Sequence, residues 1–211
     1  MEHSDKRAYI IVDMQNDFCK GGALEVRESL DIIKPINELR KNYNWDLIVL
    51  TSDWHPRNHC SFHTNNPGST LFQPFLLEKT KVEQVMWPEH CIQGTKGAEF
   101  HPDLIREDTD VIIRKGTDEN VDSYSGFGTS PEDTGLNDIL RSYDIKEVYV
   151  VGLAFDYCVG HTALDAVKNG YKTFVVTDLT RSVADPSEKS MREKLEQAGC
   201  KLITSNALNL D

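Results

Sequence analysis

The stretch Lys146–Asp178, KEVYVVGLAFDYCVGHTALDAVKNGYKTFVVTD, reads as strand, helix, strand. EVYVVG (147–152) is a short, nearly unbroken apolar run. Tyr157 to Asn169 carries a helical pattern that stops at Gly170, where a left-handed cap is expected. KTFVVTD (172–178) is a second β-branched run. Strands that lack alternating polar residues are buried on both faces, the mark of a parallel sheet covered by helices.

The same units recur on either side. AYIIVD (8–13), DLIVLTSD (46–53) and DVIIRK (110–115) precede this stretch, and KLIT (201–204) follows it, which gives six strands. Leu30, Ile33, Ile36 and Leu39 have helical spacing, with Pro35 tolerated near a first turn. Leu136 to Tyr143 and Glu188 to Ala198, the latter ended by Gly199, are further helices. The fold class is α/β. No repeat or linker divides the chain, so 1–211 reads as one domain. Its segment of about 54–109, rich in His, Pro, Gly and aromatic residues, is too long for a simple loop and is expected to be functional.

A net charge of −11 argues against nucleic acid or an anionic membrane surface as the main partner. No apolar run is long enough to span a bilayer, and the polar N-terminus lacks a signal-peptide stretch. A cytoplasmic location is the expectation, with nuclear or peroxisomal presence compatible, and a homo-oligomer is equally compatible. The five cysteines are odd in number and have no CxxC spacing, so they read as free thiols rather than a disulfide or structural zinc framework.

Open parallel sheets bind ligands beyond the carboxyl ends of their strands. There stand Asp13, Asp53, Lys115 and Cys158, after the first, second, third and fourth strands. Any one of them alone reads as structural; together they suggest a site. Cys158, near a helix start, is either a nucleophile whose pKa the helix dipole lowers or a small buried hydrophobe. Asp13 can take a thiol proton and Lys115 can keep that carboxylate ionised, or the two form a buried ion pair. Asp53 and His55, two apart on an extended segment, can face one cavity and suit zinc, iron or manganese. A third ligand is expected from His59, His63, His90 or His101.

Five segments carry a resemblance: IIVDMQNDFCKGGAL, TSDWHPRNHCSF, WPEHCIQGTKGAEFHP, IIRKGTDENVDSYSGF and VVGLAFDYCVGHTALDA. In this order, and nearly end to end, the chain resembles the nicotinamidase/pyrazinamidase branch of the isochorismatase-like cysteine hydrolases. That resemblance implies an α/β/α sandwich whose six-stranded parallel sheet has the order 3-2-1-4-5-6. It implies a catalytic triad of Asp13, Lys115 and Cys158. One divalent metal ion, zinc with iron or manganese as alternatives, is held by Asp53, His55 and His90, with His59 as a fourth ligand in some relatives. The oxyanion hole falls on the backbone N–H groups of Ala154 and Cys158, with a cis bond at Leu153–Ala154. Phe18, Trp87 and Tyr124 form the aromatic wall around the substrate ring. The implied activity is hydrolysis of nicotinamide to nicotinic acid and ammonia in NAD salvage, through a cysteine thioester, with pyrazinamide as a second substrate.

Two other readings compete. A metal-free relative acting on an amide or ureido compound, such as N-carbamoylsarcosine or ureidoacrylate, shares the triad but does not need the metal residues. A non-catalytic binding or sensor protein keeps the pocket without turnover.

Overall fold

Alternating burial sets the layers of the computed structural model, which describes residues 5–208. Strand β1 (Arg7–Val12) is buried along Ala8–Val12. Its Tyr9 and Ile11 enter one hydrophobic core, and its Ala8, Ile10 and Val12 enter another on the opposite face. Successive side chains of a strand point to opposite faces, so a strand apolar at every position needs a covering layer on each side. Helix α1 (Ile33–Asn42) covers the first face with Ile33, Ile36 and Leu39.

The main sheet adds β2 (Leu47–Asp53) beside β1. The next segment carries a small antiparallel pair, β3 (Pro74–Leu76) and β4 (Glu83–Val85). Each of its strands is only three residues long, too short to mark itself in the sequence. Strands β5 (Val111–Lys115), β6 (Glu147–Leu153), β7 (Lys172–Arg181) and β8 (Lys201–Ile203) complete the large sheet. Its order is β5-β2-β1-β6-β7-β8, parallel at every pairing. Counting only these six strands, that is the expected 3-2-1-4-5-6.

The second face is covered by α2 (Leu136–Ser142), α3 (Gly160–Lys168) and α4 (Asp185–Ala198). They contribute Leu136 and Leu140, Ala163 and Ala166, and Met191 and Leu195 to its core. Burying a large aliphatic side chain stabilises by about 1.5–3 kcal/mol, so Leu136, Leu140 and Leu195, all fully buried, anchor this layer. Gly170 and Gly199, just beyond α3 and α4, adopt φ of 92° and 87°, as their places in the sequence predict. Among the described residues no helix is long and apolar enough to cross a membrane, and all five cysteines are free.

Expected boundaries differ in places: α4 begins at Asp185 rather than Glu188, and β7 runs to Arg181 rather than ending at Asp178. The helix after β6 does not begin as an α-helix at Tyr157. Phe155–Val159 forms a wide π-helical turn, in which Val159 N–H donates to Ala154 O at 3.0 Å, and α3 starts only at Gly160. Such turns recur at functional sites because they redirect side chains within a helix.

Candidate active site

Sheet register brings the four strand-end residues together. Asp53 and Lys115 are the last residues of β2 and β5 and are paired directly across the sheet. Asp13 follows β1, and Cys158 lies in the turn after β6. The fully buried Lys115 ammonium stands 2.8 Å from Asp13 Oδ2 and 3.3 Å from Cys158 Sγ, and it also bonds to Asp53 Oδ1 and, at 3.2 Å, to Ser123 O. Asp13 Oδ1 accepts from Thr51 Oγ1 at 2.6 Å. Asp13 is held at φ 49°, a left-handed conformation uncommon for a non-glycine residue. One oxygen of Asp13, one of Asp53 and Cys158 Sγ lie within 4.8 Å of one another.

Electrostatics here differ from the helix-dipole expectation. Burial pushes the Cys158 thiol well above its usual range; Lys115 opposes this, and Asp13 and Asp53 add to it. Desolvation together with two carboxylates outweighs the one ammonium, so the resting group is a thiol that needs a base. Burial likewise raises Asp13, against the pull of Lys115. Burial would neutralise Lys115, but Asp13, Asp53 and Cys158 outweigh it and hold the ammonium protonated. Burial would raise Asp53 as well, yet Lys115, His55 and His90 keep it ionised, well below the usual carboxylate range.

The other oxygen of Asp53 faces two imidazoles. Its Oδ2 is 3.5 Å from His55 Nε2 and 3.7 Å from His90 Nε2. Each ring is anchored from behind: Nδ1 of His55 lies 2.8 Å from Gly116 O, and Nδ1 of His90 lies 2.8 Å from Pro88 O. A carbonyl can only accept, so both Nδ1 atoms carry a proton and both Nε2 atoms are turned toward Asp53. Burial opposes a charge on His55, but Asp53 outweighs it and raises the ring's pKa, so a cation there would take the place of a proton on Nε2. His55 Nε2 is buried without a hydrogen-bond partner, a condition that costs about 1–3 kcal/mol if nothing fills it. Ligands bound at about 2.0–2.2 Å to one zinc stand about 3–3.5 Å apart, close to the spacing here. Asp53, His55 and His90 therefore fit a divalent cation, with the outer hydrogen bonds such sites require.

His59 is placed differently. Its ring stacks on His55 with centroids 4.1 Å apart, but Nε2 lies 3.1 Å from Val121 O and Nδ1 lies 2.8 Å from Ser61 Oγ. Burial, then the charge of His55, lowers its pKa to about 4. In that neutral ring Nε2–H donates to the carbonyl and Nδ1 accepts from Ser61, so both nitrogens have partners, while one atom each of His55, His59 and Asp122 lie within 4.8 Å of one another. His63 and His101 are bound elsewhere, to Ser69 Oγ and near Asp103.

A small, mostly apolar pocket opens onto this constellation. Phe18, Trp87 and Tyr124 line it, as do Asp53, His90, Ala154 and Cys158. The Leu153–Ala154 bond is cis. Trp87 Nε1–H donates to the Tyr124 hydroxyl at 3.1 Å, which locks the wall.

Several residues of the site escaped sequence reasoning. Tyr157, edge-on to Trp87 at 4.9 Å, completes the aromatic wall, and Asp122 brings a further carboxylate to the pocket. The Gln15 side chain clamps the Asp53 backbone: Nε2 donates to Asp53 O and Oε1 accepts from Asp53 N, both at 2.8 Å. Asp156 accepts from Val183 N, Ala184 N and Ser187 Oγ, pinning the Cys158 turn to the start of α4. Asp156 and Tyr157 just precede Cys158, Gln15 lies two residues after Asp13, and Asp122 lies two before Tyr124, so nearness to a named site residue is the one signal each offers.

Comparison with known proteins gives a consistent picture. Residues 7–207 match the Isochorismatase domain family. A nicotinamidase of Acinetobacter baylyi is 43% identical over 186 residues, covering 87% of this chain and 85% of the relative. PnC1 from L. infantum, solved in complex with nicotinate, superposes with a TM-score of 0.86 at 36% identity, covering 98% of this chain and 96% of its own. The pyrazinamidase of Pyrococcus horikoshii, solved in complex with zinc, gives 0.79 at 38% identity, with 94% and 99% covered.

Proposed function

Since the chain belongs to the Isochorismatase domain family, we infer from its site that it is an amidohydrolase converting nicotinamide to nicotinic acid and ammonia. Pyrazinamide, a carboxamide on a similar flat nitrogen ring, suits the same pocket. The observation that carries this reading is the Lys115 ammonium, which touches Asp13, Asp53 and Cys158 at once. It joins a nucleophile and its base to a cluster suited to a cation. Nicotinate bound to the L. infantum relative and zinc bound to the P. horikoshii one support the product and the metal respectively.

In this scheme Asp13 takes the Cys158 proton as Sγ bonds to the carboxamide carbon. The C=O π pair moves to oxygen, and that charge rests against the N–H groups of Ala154 and Cys158; donors so placed are each worth about 10²–10³ in rate. Asp13 returns the proton to the nitrogen, the C–N bond breaks and ammonia leaves a thioester. Asp13 then takes a proton from water, whose oxygen bonds to the acyl carbon, and Cys158 departs with that proton as nicotinic acid is released. Lys115 keeps Asp13 ionised between steps. Phe18, Trp87, Tyr124 and Tyr157 enclose the ring and exclude water. A divalent cation, zinc in this reading, would be held by Asp53, His55 and His90 and would supply a Lewis acid to orient the substrate ring.

The test is ammonia release from nicotinamide by purified protein, before and after metal stripping and add-back, with Cys158→Ala as control. Metal-dependent release that this variant lacks is expected. Turnover surviving in Cys158→Ala removes the covalent scheme, and no release from nicotinamide by the metal-loaded protein removes the assignment.

A further inference from the structure

Gly116 links the candidate cation site to a carboxylate outside it. It directly follows Lys115, and its carbonyl oxygen is the atom that fixes the His55 ring. It adopts φ 61°, and a Cβ there would lie 2.4 Å from His55 Cε1 and 2.6 Å from Nδ1. Backbone and imidazole are therefore in direct contact, so a small shift of this turn moves the ligand.

Glu132 holds the turn in place. Its Oε2 accepts from Gly116 N at 2.9 Å, and its Oε1 accepts from both Thr117 N and Thr117 Oγ1 at 2.8 Å. Burial of this half-buried group raises its pKa, but hydrogen bonds from Ser123, Thr117 and Gly116 more than offset that and keep it ionised. A carboxylate accepting backbone N–H bonds makes the stronger, charge-assisted kind. Both N–H groups of the turn end on this one side chain, which arrives from the loop before α2.

We propose that Glu132 is a positioning residue for the cation site, acting through the Gly116 carbonyl on the orientation and tautomer of His55. It touches neither substrate nor ligand atoms. The inference rests on the reading of Asp53, His55 and His90 as metal ligands. Partners that orient a ligating imidazole change metal affinity by about 10–100-fold when removed, and Glu132 lies one step further out, so the lower end of that range applies.

The measurement is zinc affinity of stripped protein, by competition with a chromophoric chelator, in wild type, Glu132→Gln and Thr117→Val. Glu132→Gln turns an amide NH2 toward a backbone N–H, and about tenfold weaker zinc binding is expected, with nicotinamide turnover recovering at saturating zinc. Thr117→Val removes only the hydroxyl bond, so a smaller loss in the same direction is expected; it decides the matter should Glu132→Gln fail to fold. Folded variants that bind zinc within twofold of wild type overturn the role of Glu132, as does lost turnover that added zinc does not restore. A wild type that binds no zinc overturns the ligand reading itself, and this inference with it.

Discussion

Asp53 and Lys115, register partners on β2 and β5, divide one carboxylate between two tasks: Oδ1 bonds to the ammonium, and Oδ2 faces His55 and His90. The triad and the cation cluster are therefore a single electrostatic unit. Two buried carboxylates, Asp13 and Asp53, share the Lys115 ammonium, and a divalent ion beside Asp53 would add positive charge on the side that His55 and His90 face.

That sharing makes Lys115→Met the sharpest probe of the unit. Removing one partner of a buried charge network leaves the others uncompensated, at a cost of about 3–5 kcal/mol. Chemical denaturation of the metal-free variant should show that loss, and nicotinamide turnover should fall by about 10²–10⁴-fold as Asp13 loses its role as an ionised base. Unchanged stability would mean that the three charges do not depend on one another.

Cys158 should react as a buried thiol. Because burial raises it while Lys115 only partly opposes, its thiolate fraction is small at neutral pH and grows as pH rises. An ordinary thiol with a pKa of about 8.5 levels off only near pH 10, about one and a half units higher, whereas iodoacetamide labelling at Cys158, followed by peptide mass analysis, should still be climbing above that pH. A plateau below pH 8 would indicate a resting thiolate and would make Asp13 unnecessary as base for the first step.

These contrasts mark how far the sequence could be read. The sheet is legible because its strands carry short, near-continuous apolar runs, and the rule that ligands gather at strand ends brings Asp13, Asp53, Lys115 and Cys158 to one place. The direction of the Cys158 shift was not legible, since a helix start suggests a low pKa and only packing shows how completely the sulfur is desolvated. Glu132 and Gln15 were hidden for another reason: they act on backbone atoms distant in sequence, and no local pattern encodes such a contact. The β3–β4 pair leaves no pattern in the sequence because its strands are only three residues long.

His90 tests the cation cluster from its far side. His90→Ala leaves Asp53 and His55 in place but removes an anchored lone pair, so zinc affinity should fall by at least about 100-fold, more than the loss of an outer partner produces. The Michaelis constant for nicotinamide should rise while the circular dichroism spectrum stays unchanged. Wild-type metal content in the purified variant, by elemental analysis, would strike His90 from the ligand set.

Glu147 offers a pH-dependent test remote from the chemistry. At the start of β6 it is 5% exposed, bonds to Lys172 Nζ at 2.5 Å, and accepts from the Tyr149 hydroxyl at 2.9 Å. Burial raises its pKa, but Lys172 and Tyr149, followed by Arg7, outweigh it, so the folded-state value lies below the model-peptide one. A depressed carboxylate contributes stability that is fully present above the unfolded pKa of about 4.3 and is lost as pH falls through the folded value. Glu147→Gln should therefore be less stable than wild type at pH 7, by about 1–2 kcal/mol as expected for charge-assisted hydrogen bonds with one half-exposed partner. The gap should close as pH drops below about 4, where the wild-type carboxylate takes up its proton. Urea denaturation of both proteins from pH 3 to 7 measures it, and a difference that stays constant across that range would show that shape rather than charge holds Glu147 in place.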